Sequence, residues 1–381
     1  MPETSLPPFT TDREKRSRIR RSFLRSGVIW ARARLTEYVT TSRRQLLQGV
    51  LAAVLPSCKR RPPVPDVQVS SAQLDEPVVV HAWFDLPDDP RSRELSGISW
   101  DAAERTLWAV QDEMPSIVPL VPDDALGTWR FGPRVTLNTS FPLDLEGIVV
   151  TPDSFIVASE IGPKVLEFDR KGEVVRPIVL PAHFTTARSN KSLESLTMSP
   201  DGKHLFTTSE WTLSCDGAAP TLSAGSHVRI LRIDRDGKNA QEHAYMTDAI
   251  PNQGGDYGVA DLAALDEKQL LVLERGWAPH VGNVVRVYRV SLADPATSCM
   301  DASSLDRWPT LKKELVVDVA MLPAKGLPPA RAKQPTPLMD NYEGMTLGPL
   351  LADGRRSLIL VTDDNNRPDQ VARILVLGIS L

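Results

Sequence analysis

The chain is short of the residues that most often carry chemistry. It has six histidines and three cysteines in 381 residues. No pair of them has the spacing of a zinc site, and scarce histidine disfavours zinc in general. No Gly-x-Ser-x-Gly stretch occurs, which removes the strand-to-helix nucleophile elbow of α/β-hydrolases. His81, His183, His204, His227, His243 and His280 sit in no context that suggests a Ser-His-Asp triad. Aromatic residues make up 6% of the chain, and beyond residue 58 no apolar run is long enough to cross a bilayer. Basic residues are unevenly spread. Eleven Lys/Arg face four Asp/Glu up to Cys58, a surplus of seven positive charges, so the overall charge of −4 leaves −11 for the remainder. An acidic body without a basic stripe excludes nucleic acid as a natural partner.

The first 58 residues read as a leader. Arg43-Arg44 precede a short apolar run ending in Leu55-Pro56-Ser57-Cys58. A charged segment before a short apolar one is an export signal, and adjacent arginines are its twin-arginine form. The last four residues resemble a lipobox, with Cys58 as the lipidated residue and Pro56 an unusual occupant. The Arg-rich stretch 1–41 lies ahead of the arginine pair, so either the charged segment is long or translation starts near Val39. Residues 59–76, with Arg60-Arg61-Pro62-Pro63-Val64-Pro65, form a Pro-stiffened tether. The location implied is the periplasm or cell surface, with the membrane touched only through the lipid. Cys215 and Cys299 remain. An oxidising compartment favours their pairing, whereas a reading of the repeat that puts them on opposite faces of neighbouring blades opposes it.

What is abundant is Pro (32) and Gly (22) in the whole chain and, within residues 77–381, a repeated pattern. It reads Leu95-Ser96-Gly97-Ile98, Leu145-Glu146-Gly147-Ile148, Leu193-Glu194-Ser195-Leu196, Ala260-Asp261-Leu262-Ala263 and Tyr342-Glu343-Gly344-Met345. Each copy opens an apolar run. A turn and a second run follow, ending in acid at Gln111-Asp112-Glu113, Ser159-Glu160, Ser209-Glu210, Leu273-Glu274-Arg275 and Thr362-Asp363-Asp364. A repeat of about 50 to 80 residues points to a propeller. The runs are short, β-branched and bounded by turn residues, and helical periodicity is absent. The fold predicted is all-β: a β-propeller of five four-stranded blades. The last unit lacks a strand, which the segment 77–84 supplies from the other end, closing the ring. A sixth, partial blade within 292–341 is the alternative, and an open β-sandwich the plainer one.

In an antiparallel blade the start of the first strand lies beside the end of the second. The acids occupy those two places, so they should gather at one mouth of the channel. Glu146, Glu194, Asp261 and Glu343 would be inner metal ligands. Glu160, Glu210, Glu274 and Asp363 would orient water or act as base. Lys191 and Arg275 would offset charge or hold an anionic substrate. So many carboxylates need a cation. Hard oxygen donors suit Ca²⁺ first and Mg²⁺ second. The plain structural alternative is that the acids bond backbone N–H groups of the next blade.

Several of these segments also resemble the phytase-type esterase-like family of secreted bacterial proteins. They are Leu270-Leu271-Val272-Leu273-Glu274-Arg275 with Val285-Arg286-Val287-Tyr288-Arg289-Val290, and Asp340-Asn341-Tyr342-Glu343-Gly344-Met345 with the run from Ser357 to Asn365. Glu94–Trp108 and Asn190–Leu205 fit as well, and the likeness spans about 77–381. It implies a β-propeller with phosphoester- or ester-directed hydrolase activity. Ser96 and Ser195 depart from the family pattern. The function expected is an exported, monomeric, Ca²⁺-dependent hydrolase of a small anionic ester. The alternative is a non-catalytic envelope lipoprotein that binds a ligand or a protein.

Overall fold

The computed structural model describes residues 76–380, apart from Glu113 and Lys325. The expectations for the leader, the tether and Cys58 lie outside these residues. The described residues form five antiparallel sheets arranged as the blades of a propeller. Blade 1 holds β2 (Leu95–Asp101), β3 (Thr106–Gln111), β4 (Ser116–Pro122) and an outer edge split between β5 (Trp129–Phe131) and β6 (Val135–Thr136). Blade 2 holds β7 (Leu145–Val150), β8 (Ser154–Ser159), β9 (Lys164–Asp169) and β10 (Val174–Ile178). Blade 3 holds β11 (Thr197–Met198), β12 (His204–Thr207), β13 (His227–Asp234) and β14 (Gln241–Met246). Blade 4 holds β15 (Asp256–Ala264), β16 (Gln269–Ala278), β17 (Gly282–Ser291) and β18 (Lys313–Asp318). Blade 5 holds β19 (Tyr342–Leu350), β20 (Arg356–Thr362) and β21 (Arg373–Ile379), with β1 (Val78–Asp85) as its fourth strand.

The ring closes as expected. β1 pairs with β21 from Val78↔Ile379 to Asp85↔Arg373. No sixth blade exists among the described residues: 292–341 contributes β18, two short 3-10 turns and irregular chain. Neither Cys215 nor Cys299 is in a disulfide.

Middle strands are apolar on both faces because each blade packs on two others. In β8, Phe155 and Val157 meet blade 1, while Ile156 and Ala158 meet blade 3. All five blade junctions hold such a core, the last of them between Ile359, Val361, Ile374 and Val376 of blade 5 and Leu95, Ile98 and Leu107 of blade 1. The inner strands converge closely. A Cβ on Gly147 would stand 2.5 Å from the Leu196 nitrogen of blade 3, and one on Gly344 would stand 2.4 Å from the Ser96 oxygen of blade 1. Glycine at these two positions is therefore a requirement of blade contact.

Candidate functional site

One extra residue on the inner strand of every blade sets the aim of the acids. In blade 2 the ladder runs Leu145↔Ser159 and then Gly147↔Ala158, leaving Glu146 bulged out. In blade 5, Tyr342↔Thr362 and Gly344↔Val361 leave Glu343. Blades 1 and 3 show the same offset around Ser96 and Glu194. Such a bulge re-aims a side chain while its neighbours keep the pleat. The residue after the one opposite the pattern's first apolar residue lies at the same end of the strand pair, facing the residue just ahead of the pattern: Asp112, Glu160, Glu210 and Asp363.

Blade 4 does not follow the expected alignment. Its ladder runs Val259↔Glu274 and then Asp261↔Leu273, so the bulged residue is Ala260 and the residue beyond Glu274 is Arg275. The true fourth copy is Val259-Ala260-Asp261-Leu262, one residue earlier than expected. Asp261 thus stands in the place of Gly147 and Gly344, at the blade contact. It is 1% exposed. Its carboxylate accepts from the N–H groups of Leu262 (2.8 Å) and of Met345 in blade 5 (2.7 Å), and the Leu196 N–H of blade 3 also bonds it. Glu274 is buried between blades 3 and 4, where it accepts from Lys313 Nζ (2.7 Å), Tyr245 Oη and the Asp248 N–H (3.0 Å). Neither residue lines the channel mouth. Asp261 and Glu274 are therefore corrected from metal and catalytic candidates to blade-joining groups. Asp261→Ala should strand three buried N–H groups at about 1–3 kcal/mol each. Its melting temperature should fall by about 10 °C while any Ca²⁺ response persists. Loss of that response with an unchanged melt would return Asp261 to the site.

The other predicted residues do meet. Glu146, Glu194, Glu343, Glu160, Glu210, Asp363, Lys191 and Arg275 all line one cavity of about 470 Å³ at the channel mouth. Asp112, anticipated as an acid of the first blade, joins them. Asp144, Asn341 and Asn190, from the segments leading into inner strands, were not anticipated, nor was the wall formed by Trp277, His280, Asn283, Lys333 and Gln334. That wall exists because β16 and β17 run past the mouth, to Ala278 and from Gly282, whereas the sequence pattern ends the second run in acid at Leu273-Glu274-Arg275.

Asp112, Asp144 and Glu146 are the tightest group: one oxygen from each lies within 4.8 Å of the others. Ser96 Oγ donates to Glu146 Oε2 at 2.6 Å, so the serine that departs from the pattern supports the neighbouring acid. Ser195 likewise has a job, its Oγ accepting from the Thr208 N–H at 3.1 Å where the inner strand of blade 3 is broken. Lys191 Nζ sits between Glu210 (2.7 Å) and Asp256 (2.8 Å), and Arg275 Nη2 donates to Glu343 Oε1 at 2.7 Å.

Charge crowding shows in the proton affinities. Burial, a hydrogen bond to Asp144 and the charges of Asp144, Glu343 and Asp363 push Asp112 up to about 10. Burial, then Asp112 and Glu343, hold Glu146 well above the usual range. Glu194 is raised by burial and by Glu146, Glu210, Glu160 and Glu343. Burial pushes Glu160 up to about 7, against the Ser192 N–H that it accepts at 2.9 Å. Burial and Glu343 raise Asp363. Burial raises Glu210 too, with Lys191 and Arg275 opposing. Burial works against charge on Lys191 and Arg275, yet their carboxylate partners outweigh it and both stay cationic.

This donor set, all hard oxygen and short of cations, fits a divalent ion such as Ca²⁺. Residues 90–366 match the model of a phytase-like family described as esterase-like activity of phytase. The chain belongs to this family. A relative in Arthroderma benhamiae, described as an uncharacterized secreted protein, is 26% identical over 193 residues, covering 42% of this chain and 36% of that protein. The chain thus spans about a third of that relative's length. Among solved structures, a luciferin-regenerating enzyme is 14% identical with a TM-score of 0.38, over 74% of this chain and 91% of that one. A nidogen/laminin complex is 13% identical with a TM-score of 0.40, over 76% and 86%. At such scores neither bears on function. Among the described residues no helix is long and apolar enough to cross a membrane.

Proposed function

We propose that this family member is an exported, metal-dependent hydrolase of phosphate esters or related esters, working at the acidic mouth. The observation that carries the proposal is the Asp112–Asp144–Glu146 group opening on a 470 Å³ cavity. Those three residues would hold Ca²⁺, with Mg²⁺ second. The ion would supply polarisation of the ester oxygen and neutralise charge developing there. Glu160 is the residue suited to proton transfer: a carboxyl poised near 7 works as base and acid at neutral pH. Its Oε1 is held by the Ser192 N–H, which leaves Oε2 to receive the proton of an attacking water. Glu210 is bound by Lys191 through both oxygens and is a poorer base. Export, with Arg43-Arg44 as signal and Cys58 as lipid anchor, rests on the leader pattern, and a secreted relative is in keeping with it.

A screen of the metal-stripped full chain on phosphate and carboxylic esters, with and without Ca²⁺, tests this. Ca²⁺-dependent turnover is expected, and Glu160→Gln should lower kcat about 100-fold while Ca²⁺ still binds. One observation favours a second reading, ligand binding without turnover by an envelope lipoprotein: both basic residues of the ring are already ion-paired. Ca²⁺ and anion binding with no turnover on any ester would decide for it.

A further inference from the structure

Blade 4 breaks the ring's chemistry as well as its alignment. At the bulge, blades 2, 3 and 5 offer Glu146, Glu194 and Glu343, and blade 4 offers Ala260. At the facing position the other blades offer Asp112, Glu160, Glu210 and Asp363, and blade 4 offers Arg275. Ahead of the inner strand, blades 2 and 5 place Asp144 and Asn341, and blade 4 places Gly258, opposite Arg275 in the ladder. A Cβ on Gly258 would stand 2.6 Å from Glu210 Cγ, so its absence lets Glu210 reach across the junction. Lys191 follows from the same side, its Nζ bonded to Glu210 and 5.3 Å from the centre of the Trp211 ring. One half of the mouth therefore carries its own cations. The other half does not. Between the two halves, the side chain of Glu194 from blade 3, 7% exposed and lining the cavity, has no hydrogen-bond or ion-pair partner among the described residues, and Glu146 is the carboxylate it feels most. A buried carboxylate left without a partner calls for one.

We infer that Lys191 and Arg275 are built-in counter-cations filling the blade 3–blade 4 side of the mouth, so that the cavity takes one divalent ion, on the blade 1–blade 2 side. This rests on the metal reading above and adds its stoichiometry. Arg275 is then a specificity-determining residue: it occupies by covalent attachment what would otherwise be a second cation position beside Glu343 and Glu210.

Titration calorimetry of Ca²⁺ into the metal-stripped full chain tests it. The parent should bind one ion. Arg275→Gln, which frees Glu343, should bind two, and Arg275→Lys, which keeps the charge, should stay at one. If Arg275→Gln fails to fold, Lys191→Gln replaces it, with the same expected rise from one to two. Two ions in the parent, or one in every folded variant, would overturn the inference and leave the metal reading standing. No ion in the parent would overturn the metal reading itself.

Discussion

Deletion of residues 77–85 should leave the protein insoluble, or lower its melting temperature by 10 °C or more. β1 is the outermost strand of blade 5, yet it is bonded into two blade junctions. Val78, Val80 and Trp83 pack on the core shared with blade 4, and Ala82 and Phe84 on the core shared with blade 1. These side chains are half-buried. At about 1 kcal/mol each they contribute on the order of 5 kcal/mol, the scale of a domain's whole stability. Deletion would also strip the pairing edge of β21, every residue of which is buried, and leave a row of open N–H and C=O groups. Arg373, 3% exposed, would lose the Asp85 carboxylate that its Nε meets at 2.6 Å. A peptide of residues 77–85 added during refolding should rescue solubility, since strand addition restores the same contacts. A deletion variant that melts with the parent would mean that the ring does not depend on this closure.

That closure was legible in the sequence, and so was the number of blades. Each unit's apolar runs are spaced by turn residues, and the last unit is visibly one strand short. The site was legible in part, and its error has a physical form. Alignment by the acid alone placed Asp261 with Glu146 and Glu343. Contact between blades leaves no room for a bulky apolar side chain immediately after the bulge, where Gly147, Gly344 and Ser195 stand in blades 2, 5 and 3. In the copy chosen for blade 4, Leu262 held that place, and a leucine cannot fit where a Cβ already collides. Excluding a bulky apolar residue from that place would have shifted the copy to Val259-Ala260-Asp261-Leu262, where Asp261 bonds N–H groups at the contact, and exposed Arg275 as the ring member. Asp144 could have been suspected from its place beside Leu145-Glu146. The β16–β17 wall could not: its extension past the mouth depends on Gly282 fitting against Lys333 and Gln334, which are 51 and 52 residues further on.

The metal-free protein should grow less stable as pH rises, and Ca²⁺ should cancel the loss. Glu160 has a folded-state pKa of about 7 against an ordinary 4.5. A carboxyl raised on folding holds its proton in the native state where the unfolded chain has released it. Its contribution is complete below pH 4.5 and is lost as pH rises through 7, a swing of about 3 kcal/mol for this one group. Asp112, pushed up to about 10, prolongs the decline into the alkaline range. Glu146 and Glu194 are displaced in the same direction by burial and by their neighbours. A divalent ion reverses the preference, because it binds the ionised carboxylates and displaces their protons. At a hundredfold excess over Kd it adds about 2.7 kcal/mol, or about 5 °C in melting temperature. Scanning calorimetry of stripped protein should show the melting temperature falling between pH 5 and 7.5. Ca²⁺ should raise it little at pH 5 and by about 5 °C or more at pH 7.5. Asp112→Asn combined with Glu146→Gln keeps the shape of the group and its bond to Ser96 while removing two charges. This variant should melt above the stripped parent at pH 7.5 and ignore Ca²⁺. A stripped parent whose melting temperature is flat or rising across this range would show that the crowded carboxylates are not protonated there. An equal Ca²⁺ response at both pH values would place the ion elsewhere on the molecule.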